Sequence, residues 1–200
     1  GKRENIMNNT YIGNEPFVVN GMKESVTIND FWRWAYSDLT NNINRSVLAE
    51  FIVASALDLV HVGCELCRDL WRPFDLLYNN NYRIEVKSSG YVQSHSPKHP
   101  DHIVFGIAPA KVPGATGDYK ANSPSQRNCD IYIFCIYTAM SKDENPLDLD
   151  LWDFYVLPTK ILNAEKPTQK TITLPSLLAL NPTKCDYLEL KDTVNNIVAV

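Results

Sequence analysis

The 200-residue sequence predicts a mixed α/β domain, and three observations support this fold class. Residues 44–57 carry apolar side chains at the spacing of an amphipathic helix. Several shorter apolar segments follow, bounded by Asn, Pro and Gly, as expected of strands. The composition, 44% hydrophobic and 21% charged, is that of a globular protein with a buried core. We therefore expect helices packed around a central sheet.

The N-terminal part of the chain, residues 1–43, is expected to be an extension that packs on a domain of residues 44–200. Residues 1–30 are polar and contain Asn and Gly in several places, which predicts irregular structure. Residues 31–39 predict a short aromatic helix, with Asp30 as its N-cap.

The clearest helix covers residues 44–57, and Asn44 is its expected N-cap. The positions that follow helical spacing on one side are Val47, Leu48, Phe51, Ile52, Ser55 and Leu59. Glu50 lies on a second, mostly apolar face with Val47, Ala54 and Leu57. An acid on such a face is not expected to point into solvent, so Glu50 is a candidate site residue.

Two strands at residues 74–78 and 82–88 are separated by Asn79, Asn80 and Asn81, and together they predict a hairpin. With this turn, residue 78 pairs with 82, residue 76 with 84, and Asp75 lies across from Glu85. Strand alternation then directs Ile84 and Val86 to the core and places Arg83, Glu85 and Lys87 on the other face.

Further strands are predicted at residues 103–107, 130–138 and 152–157, with a long loop over residues 109–128. Residues 186–198 predict a final helix. The elements after the hairpin thus complete a sheet with helices around it.

The pair of Asp75 and Glu85 has chemical consequences. Like charges directly opposite on a sheet repel, unless a cation lies between them or one acid is protonated. Two carboxylates suit Mg²⁺, which keeps several of its waters. Lys87 could orient a metal-bound water and stabilise negative charge on a phosphate, and Glu50 could complete the metal shell.

The segment Pro73-Phe74-Asp75, nine residues, then Glu85-Val86-Lys87 resembles the signature of the PD-(D/E)XK superfamily, the restriction-endonuclease-like nucleases. The preceding helix with Glu50 also fits this family, as does Gln93, a polar residue soon after the Lys. The resemblance covers residues 44–140. It implies a restriction-endonuclease-like core, with a central mixed β-sheet flanked by helices. The implied activity is endonuclease cleavage of DNA dependent on Mg²⁺ (or Mn²⁺), associated with restriction or defence.

Two other hypotheses remain open. The chain could be a catalytically inactive nuclease-fold module that binds nucleic acid or protein, or an unrelated α/β protein with an accidental motif. RNA also stays open as a substrate. Because a double-strand cut needs two active sites or two visits, a homodimer is compatible with the sequence, although no residue demonstrates it.

The bulk properties limit these hypotheses. A net charge of −4 restricts nucleic-acid binding to a local cleft. The five cysteines, an odd number, do not suggest a disulfide framework, and Cys129 and Cys135 are expected in the core. No secretory signal is visible, and the longest apolar segment, residues 131–140, is too short to span a bilayer. These features predict a cytoplasmic protein.

Other polar groups are weaker candidates. His61, Cys64 and Cys67 have ligand-like spacing but lack a fourth ligand for zinc. A second group after the hairpin consists of His95, His99, Asp101 and His102. Arg127 and Lys120, in the long loop, are expected to face solvent, where they could contact a nucleic-acid backbone.

Overall fold

The structure is a computed structural model that describes residues 11–61, 68, 72–92, 102–111 and 124–199. The strands in these ranges are β1 (Pro16–Val19), β2 (Met22–Thr27), β3 (Leu76–Tyr78), β4 (Tyr82–Gly90), β5 (Val104–Gly106), β6 (Ile131–Tyr137), β7 (Trp152–Pro158), β8 (Thr171–Thr173) and β9 (Thr183–Cys185). The helices are α1 (Ile28–Tyr36), α2 (Asn42–Ala56), α3 (Thr159–Glu165), α4 (Leu174–Leu178) and α5 (Leu190–Val198).

The main sheet has five strands in the order β3-β4-β6-β7-β9. β4 and β6 are parallel, from the pair of Ile84 and Ile131 to the pair of Gly90 and Tyr137. The other neighbours are antiparallel, so the sheet is mixed. Every residue of β6 is buried, because this central strand is covered on both faces and its sequence is continuously apolar. The predicted mixed α/β class is confirmed.

Each face of the main sheet has its own core. On one face, Ala49, Ile52 and Val53 of α2 belong to a cluster with alternate residues of β4, β6 and β7, joined by Leu190 and Val194 of α5. The other face is covered by β5, β8, α3 and α4, whose apolar side chains surround Tyr132, Phe134 and Ile136 of β6. The alternation of side chains along the strands therefore determines which cluster each residue joins.

The strands predicted at residues 103–107, 130–138 and 152–157 are confirmed by β5, β6 and β7. Cys129 and Cys135 are core residues, as predicted. The final helix begins at Leu190, later than expected, because residues 186–189 form a turn in which Asp186 and Glu189 bond each other's backbone N–H groups. β8, β9, α3 and α4 were not predicted.

Both predicted helix caps are wrong by a few residues. α1 begins at Ile28, and Asp30 accepts hydrogen bonds from the backbone N–H and hydroxyl of Thr27, which is the N-cap. α2 begins at Asn42, inside the predicted extension, and Asn41 accepts from the backbone N–H of Asn44. Phe51, expected to face inward, is 60% exposed, because the buried face of α2 passes through Ala49, Ile52 and Val53.

The N-terminal segment is more ordered than predicted. β1 and β2 form an antiparallel hairpin with Val19 paired to Met22. Asn20-Gly21 is a strong hairpin signal that the sequence interpretation missed. Within the described ranges, no helix is long and apolar enough to cross a membrane.

Candidate active site

The β3–β4 hairpin has the predicted register. Leu76 pairs with Ile84 and Tyr78 with Tyr82, and Asn79 and Asn80 take positive φ angles of 50° and 53° in the turn. Continuation of this register places Asp75 across from Glu85. The backbone N–H of Asp75 still donates to the carbonyl of Ile84, at 3.0 Å. The turn and the strand pairing therefore bring the two acids to the same end of the hairpin.

The Asp75 carboxylate ends the pairing of the two strands. Its Oδ2 atom accepts a hydrogen bond from the backbone N–H of Val86, at 2.7 Å. The pKa of Asp75 is raised to about 7, chiefly by burial and also by the charges of Glu85 and Glu50, while the Val86 bond and Lys87 act in the opposite direction. Desolvation therefore outweighs the predicted repulsion by Glu85 as the main cause of the shift.

Glu85 and Lys87 form an ion pair on the face opposite to Ile84 and Val86. Lys87 Nζ lies 2.6 Å from Glu85 Oε1, and the two side chains are 31% and 20% exposed, in the order Lys87, Glu85. Arg83, on the same face, instead holds Asp130 with two guanidinium nitrogens at 3.0 and 2.8 Å. The three residues predicted on this face therefore have different partners. Arg83 forms a pair with Asp130 near the start of β4, and Glu85 and Lys87 form the candidate site further along the strand.

Glu50 is buried, with 8% of its surface exposed, and it has a cationic partner. Arg68 donates to both carboxylate oxygens, from Nε to Oε2 and from Nη2 to Oε1. This bond raises the pKa of Arg68, and the charge of Asp75 contributes in the same direction. Since the charge of Glu50 also affects Asp75, the pair belongs to the same electrostatic cluster.

Arg68 is the residue of this cluster that the sequence interpretation missed. The available signal was the buried Glu50, because an acid on an apolar helix face needs a cation or hydrogen-bond donors nearby. The sequence offers Arg68 and Arg72 in the segment that leads to β3. Nothing in their spacing from Glu50 indicates which of them binds it.

The cluster thus contains four of the five predicted residues, Glu50, Asp75, Glu85 and Lys87, together with Arg68. Gln93 lies outside the described residues. The same holds for Cys64, Cys67, His95, His99, Asp101 and Lys120. Among the residues that the structure describes, no group of three or more His, Cys, Asp or Glu side chains is arranged to hold a metal ion. Because Arg68 bonds both oxygens of Glu50, Asp75 and Glu85 remain as the candidate metal-binding acids.

The expectation that Arg127 faces solvent is wrong. Arg127 is 7% exposed, and its guanidinium donates to the carbonyls of Ile107, Lys166 and Gln169 and to the side chain of Asn163, at 2.7–3.1 Å. These bonds tie together the backbone of three segments. A phosphate contact by Arg127 is therefore not supported, since its donors are used inside the protein.

Two open grooves, of about 310 and 460 Å³, are both lined in part by Pro158 and Ile197, and the larger one also by Arg83. They contain none of the five predicted site residues. In comparisons with known proteins, no protein-family model matches this chain, and no curated protein matches it significantly.

Proposed function

We propose that this protein is a metal-dependent nuclease of the PD-(D/E)XK type that hydrolyses phosphodiester bonds in DNA. One observation carries the proposal. A partly buried acid, Asp75, lies across a hairpin from a second acid, Glu85, which is bonded to Lys87. The three residues of the resembling motif thus lie at one end of the hairpin, with Glu85 and Lys87 on β4 and Asp75 directly before β3.

The residues present are compatible with Mg²⁺ or Mn²⁺. Asp75 and Glu85 supply hard carboxylate oxygens, and Mg²⁺ is commonly held by one or two carboxylates while it keeps several waters. The pKa of Asp75 is raised chiefly by burial and in part by the charge of Glu85, and a bound cation would favour the charged carboxylate against both. When bound there, the ion would supply a water of lowered pKa and neutralise charge on the phosphate.

Lys87 would act directly on the reacting groups. Its ammonium already lies at hydrogen-bond distance from Glu85, and it is 31% exposed, so a phosphate oxygen or an attacking water can reach it. A fixed cation at this point stabilises the negative charge that develops on the phosphate. Glu85 holds the ammonium in place and so limits the reorganisation needed during the reaction.

The arrangement of elements is compatible with a restriction-endonuclease-like core. α2 precedes the β3–β4 hairpin, and β6 then pairs with β4 in parallel. In the family order of helix, three strands, helix and strand, α2, β3 and β4 would correspond to the first helix and the first two strands. β5, the next strand along the chain, pairs with β8 in a separate sheet. A role in restriction or defence follows from the resemblance only, and so does a cytoplasmic location.

The decisive experiment is cleavage of plasmid DNA with Mg²⁺ or Mn²⁺ and with EDTA. Wild type should nick or linearise DNA only with metal, and Lys87→Ala should lower the rate at least about a hundredfold. Arg83→Gln is the matched control, since Arg83 shares strand and face with Lys87 but bonds Asp130. Equal rates for wild type and Lys87→Ala would contradict the proposal.

One observation favours a second candidate, the inactive module that binds nucleic acid or protein. Two cations, Arg68 and Lys87, already neutralise Glu50 and Glu85 inside the cluster, as in a structural ion network. This hypothesis predicts binding of nucleic acid without cleavage under any metal. It also predicts that Lys87→Ala lowers the thermal stability of the protein without changing its affinity for nucleic acid.

A further inference from the structure

Glu50 and Arg68 form a pair whose two members differ in exposure. The Glu50 side chain is 10% exposed, whereas that of Arg68 is 41% exposed. The guanidinium of Arg68 is therefore partly exposed to solvent, whereas the carboxylate of Glu50 is largely buried. Anything that approaches Glu50 from solvent meets the positive charge first.

This arrangement is unfavourable for metal binding by Glu50. Both of its oxygens accept from the guanidinium, in the bidentate geometry that Arg and carboxylates prefer. A divalent cation on the same carboxylate would lie against a guanidinium charge of the same sign. Glu50 is therefore better suited to hold Arg68 than to complete a metal shell.

Arg68 is suited to bind a phosphate. A guanidinium has five N–H donors, and two of them bond Glu50. A planar fork held in one orientation loses little freedom when it binds a phosphate with the remaining donors. Arg68 also interacts electrostatically with Asp75, so the phosphate it would bind lies beside the proposed catalytic acids.

We propose that Arg68 contacts a backbone phosphate of the nucleic-acid substrate and that Glu50 is a positioning residue for Arg68 rather than a metal ligand. This inference rests on the proposed nuclease function. It reassigns Glu50, which the family resemblance would make part of the metal shell, and it adds a substrate contact from outside the motif.

The test uses steady-state cleavage of a short DNA duplex at varied substrate and Mg²⁺ concentrations. Arg68→Ala should raise KM by at least about tenfold, the loss expected for one charge-assisted contact. The half-saturating Mg²⁺ concentration should stay unchanged. Glu50→Gln should shift KM in the same direction, again with unchanged Mg²⁺ dependence. Lys87→Ala is the contrasting variant, since it should lower kcat instead.

The double variant Glu50→Gln, Arg68→Ala tests the coupling and protects against misfolding. Arg68→Ala alone leaves a buried acid without its cation, which is destabilising, and the double variant removes that charge. Because the two residues act as one unit, its KM should be no higher than that of Arg68→Ala. Thermal melting of each variant would verify that it is folded under assay conditions.

Two results would overturn the inference. One is a rise of about tenfold or more in half-saturating Mg²⁺ for Glu50→Gln, the size expected when a metal site is damaged. The other is an unchanged KM for the folded double variant. If wild type cleaves nothing, the nuclease proposal fails separately. The phosphate contact is then judged by fluorescence anisotropy of a labelled duplex in EDTA, where weaker binding of the double variant supports it and equal binding refutes it.

Discussion

Two antiparallel hairpins in the described part of the chain are closed by residues in the left-handed region. Asn20 and Gly21 connect β1 to β2 with φ angles of 50° and 77°. In the β3–β4 hairpin, Asn79 and Asn80 have φ angles of 50° and 53°. The local chemistry of the two turns is thus similar, since Asn and Gly tolerate this conformation better than other residues.

The surroundings of the two hairpins differ. No residue of β1 or β2 is buried, and their apolar side chains, such as Val18 at 59% and Met22 at 71%, are exposed. β4 instead pairs with β6, and its Ile84 is completely buried. α1, next to the first hairpin, also has no buried residue, and its Trp34 is 84% exposed.

Similar turn residues thus close both hairpins, but the surroundings of the strands determine how far their charged groups are removed from water. Burial raises the pKa of a carboxyl group because it disfavours the charged form, whereas hydrogen bonds to the charged form lower it. The pKa of Asp75 is raised, chiefly by burial, whereas the pKa of Asp30, on the exposed α1, is lowered by hydrogen bonds from Thr27. The β3–β4 hairpin, which pairs with β6, therefore holds Glu85 and Lys87 partly removed from water.

The largest expected effect is at Asp75, where a substitution should separate DNA cleavage from the stability of the fold. Asp75→Asn should reduce DNA cleavage by at least about a hundredfold. Its unfolding midpoint without metal should be equal to or above that of wild type, because Asn can still accept from the Val86 N–H and no buried charge remains. Plasmid nicking and thermal melting would measure the two quantities. A variant that melts well below wild type would identify Asp75 as a structural partner of a cation.

Truncation in the two hairpins should give very different losses of stability. Ile84→Ala leaves a cavity in a fully buried position and should cost about 2–5 kcal/mol of the free energy of unfolding. Val18→Ala, at an exposed position of β1, should change it by less than about 0.5 kcal/mol. Urea denaturation followed by circular dichroism measures both. Similar losses would mean that β1 and β2 are part of the cooperative core.

The two aspartates should give pH dependences of opposite sign. Between pH 3.8 and about 7 folded Asp75 keeps a proton that the unfolded chain has released, so its contribution to stability is complete below 3.8 and is lost as pH rises towards 7. Asp30 has a lowered pKa, so its contribution is present above 3.8 and is lost as pH falls through its folded pKa.

Thermal melting in EDTA from pH 3 to 8 measures this difference. Relative to Asp75→Asn, wild type should lose stability as pH rises. Relative to Asp30→Asn, wild type should gain stability as pH rises through the acid end of the range. An identical pH profile for wild type and Asp75→Asn would show that Asp75 titrates near its ordinary value.

The smallest effect concerns the turns themselves. Asn20 and Asn79 both have a φ of 50°, which Asn tolerates because its side-chain amide can bond locally. Replacement of either residue by Ala keeps the strained φ and removes the amide, at a local cost of about 1 kcal/mol. The loss should appear in global unfolding for Asn79→Ala only. For Asn20→Ala it should appear as faster amide hydrogen exchange in β1 and β2, because that hairpin opens independently of the core. A global loss for Asn20→Ala would refute this independence.

The sequence alone was sufficient for the features that depend on neighbouring residues. The three Asn residues and the alternation of residues 82–88 predicted the β3–β4 register and hence the approach of Asp75 to Glu85 and Lys87. The apolar segments at residues 131–137 and 152–157 predicted β6 and β7, because strands covered on both faces are rich in apolar residues. These patterns act over a few residues, where turn type and period leave few alternatives.

Only the tertiary structure decided which surfaces meet. Arg68 reaches Glu50 across 18 residues of sequence, and no local pattern specifies that pairing. Arg127, expected in solvent, is buried because α3 and the turn after it bring carbonyl oxygens to it. Phe51 and Trp34 are exposed although their residue types predict burial. Burial depends on the packing of elements distant in sequence, and the hydrophobic effect acts on area removed from water, not on residue type.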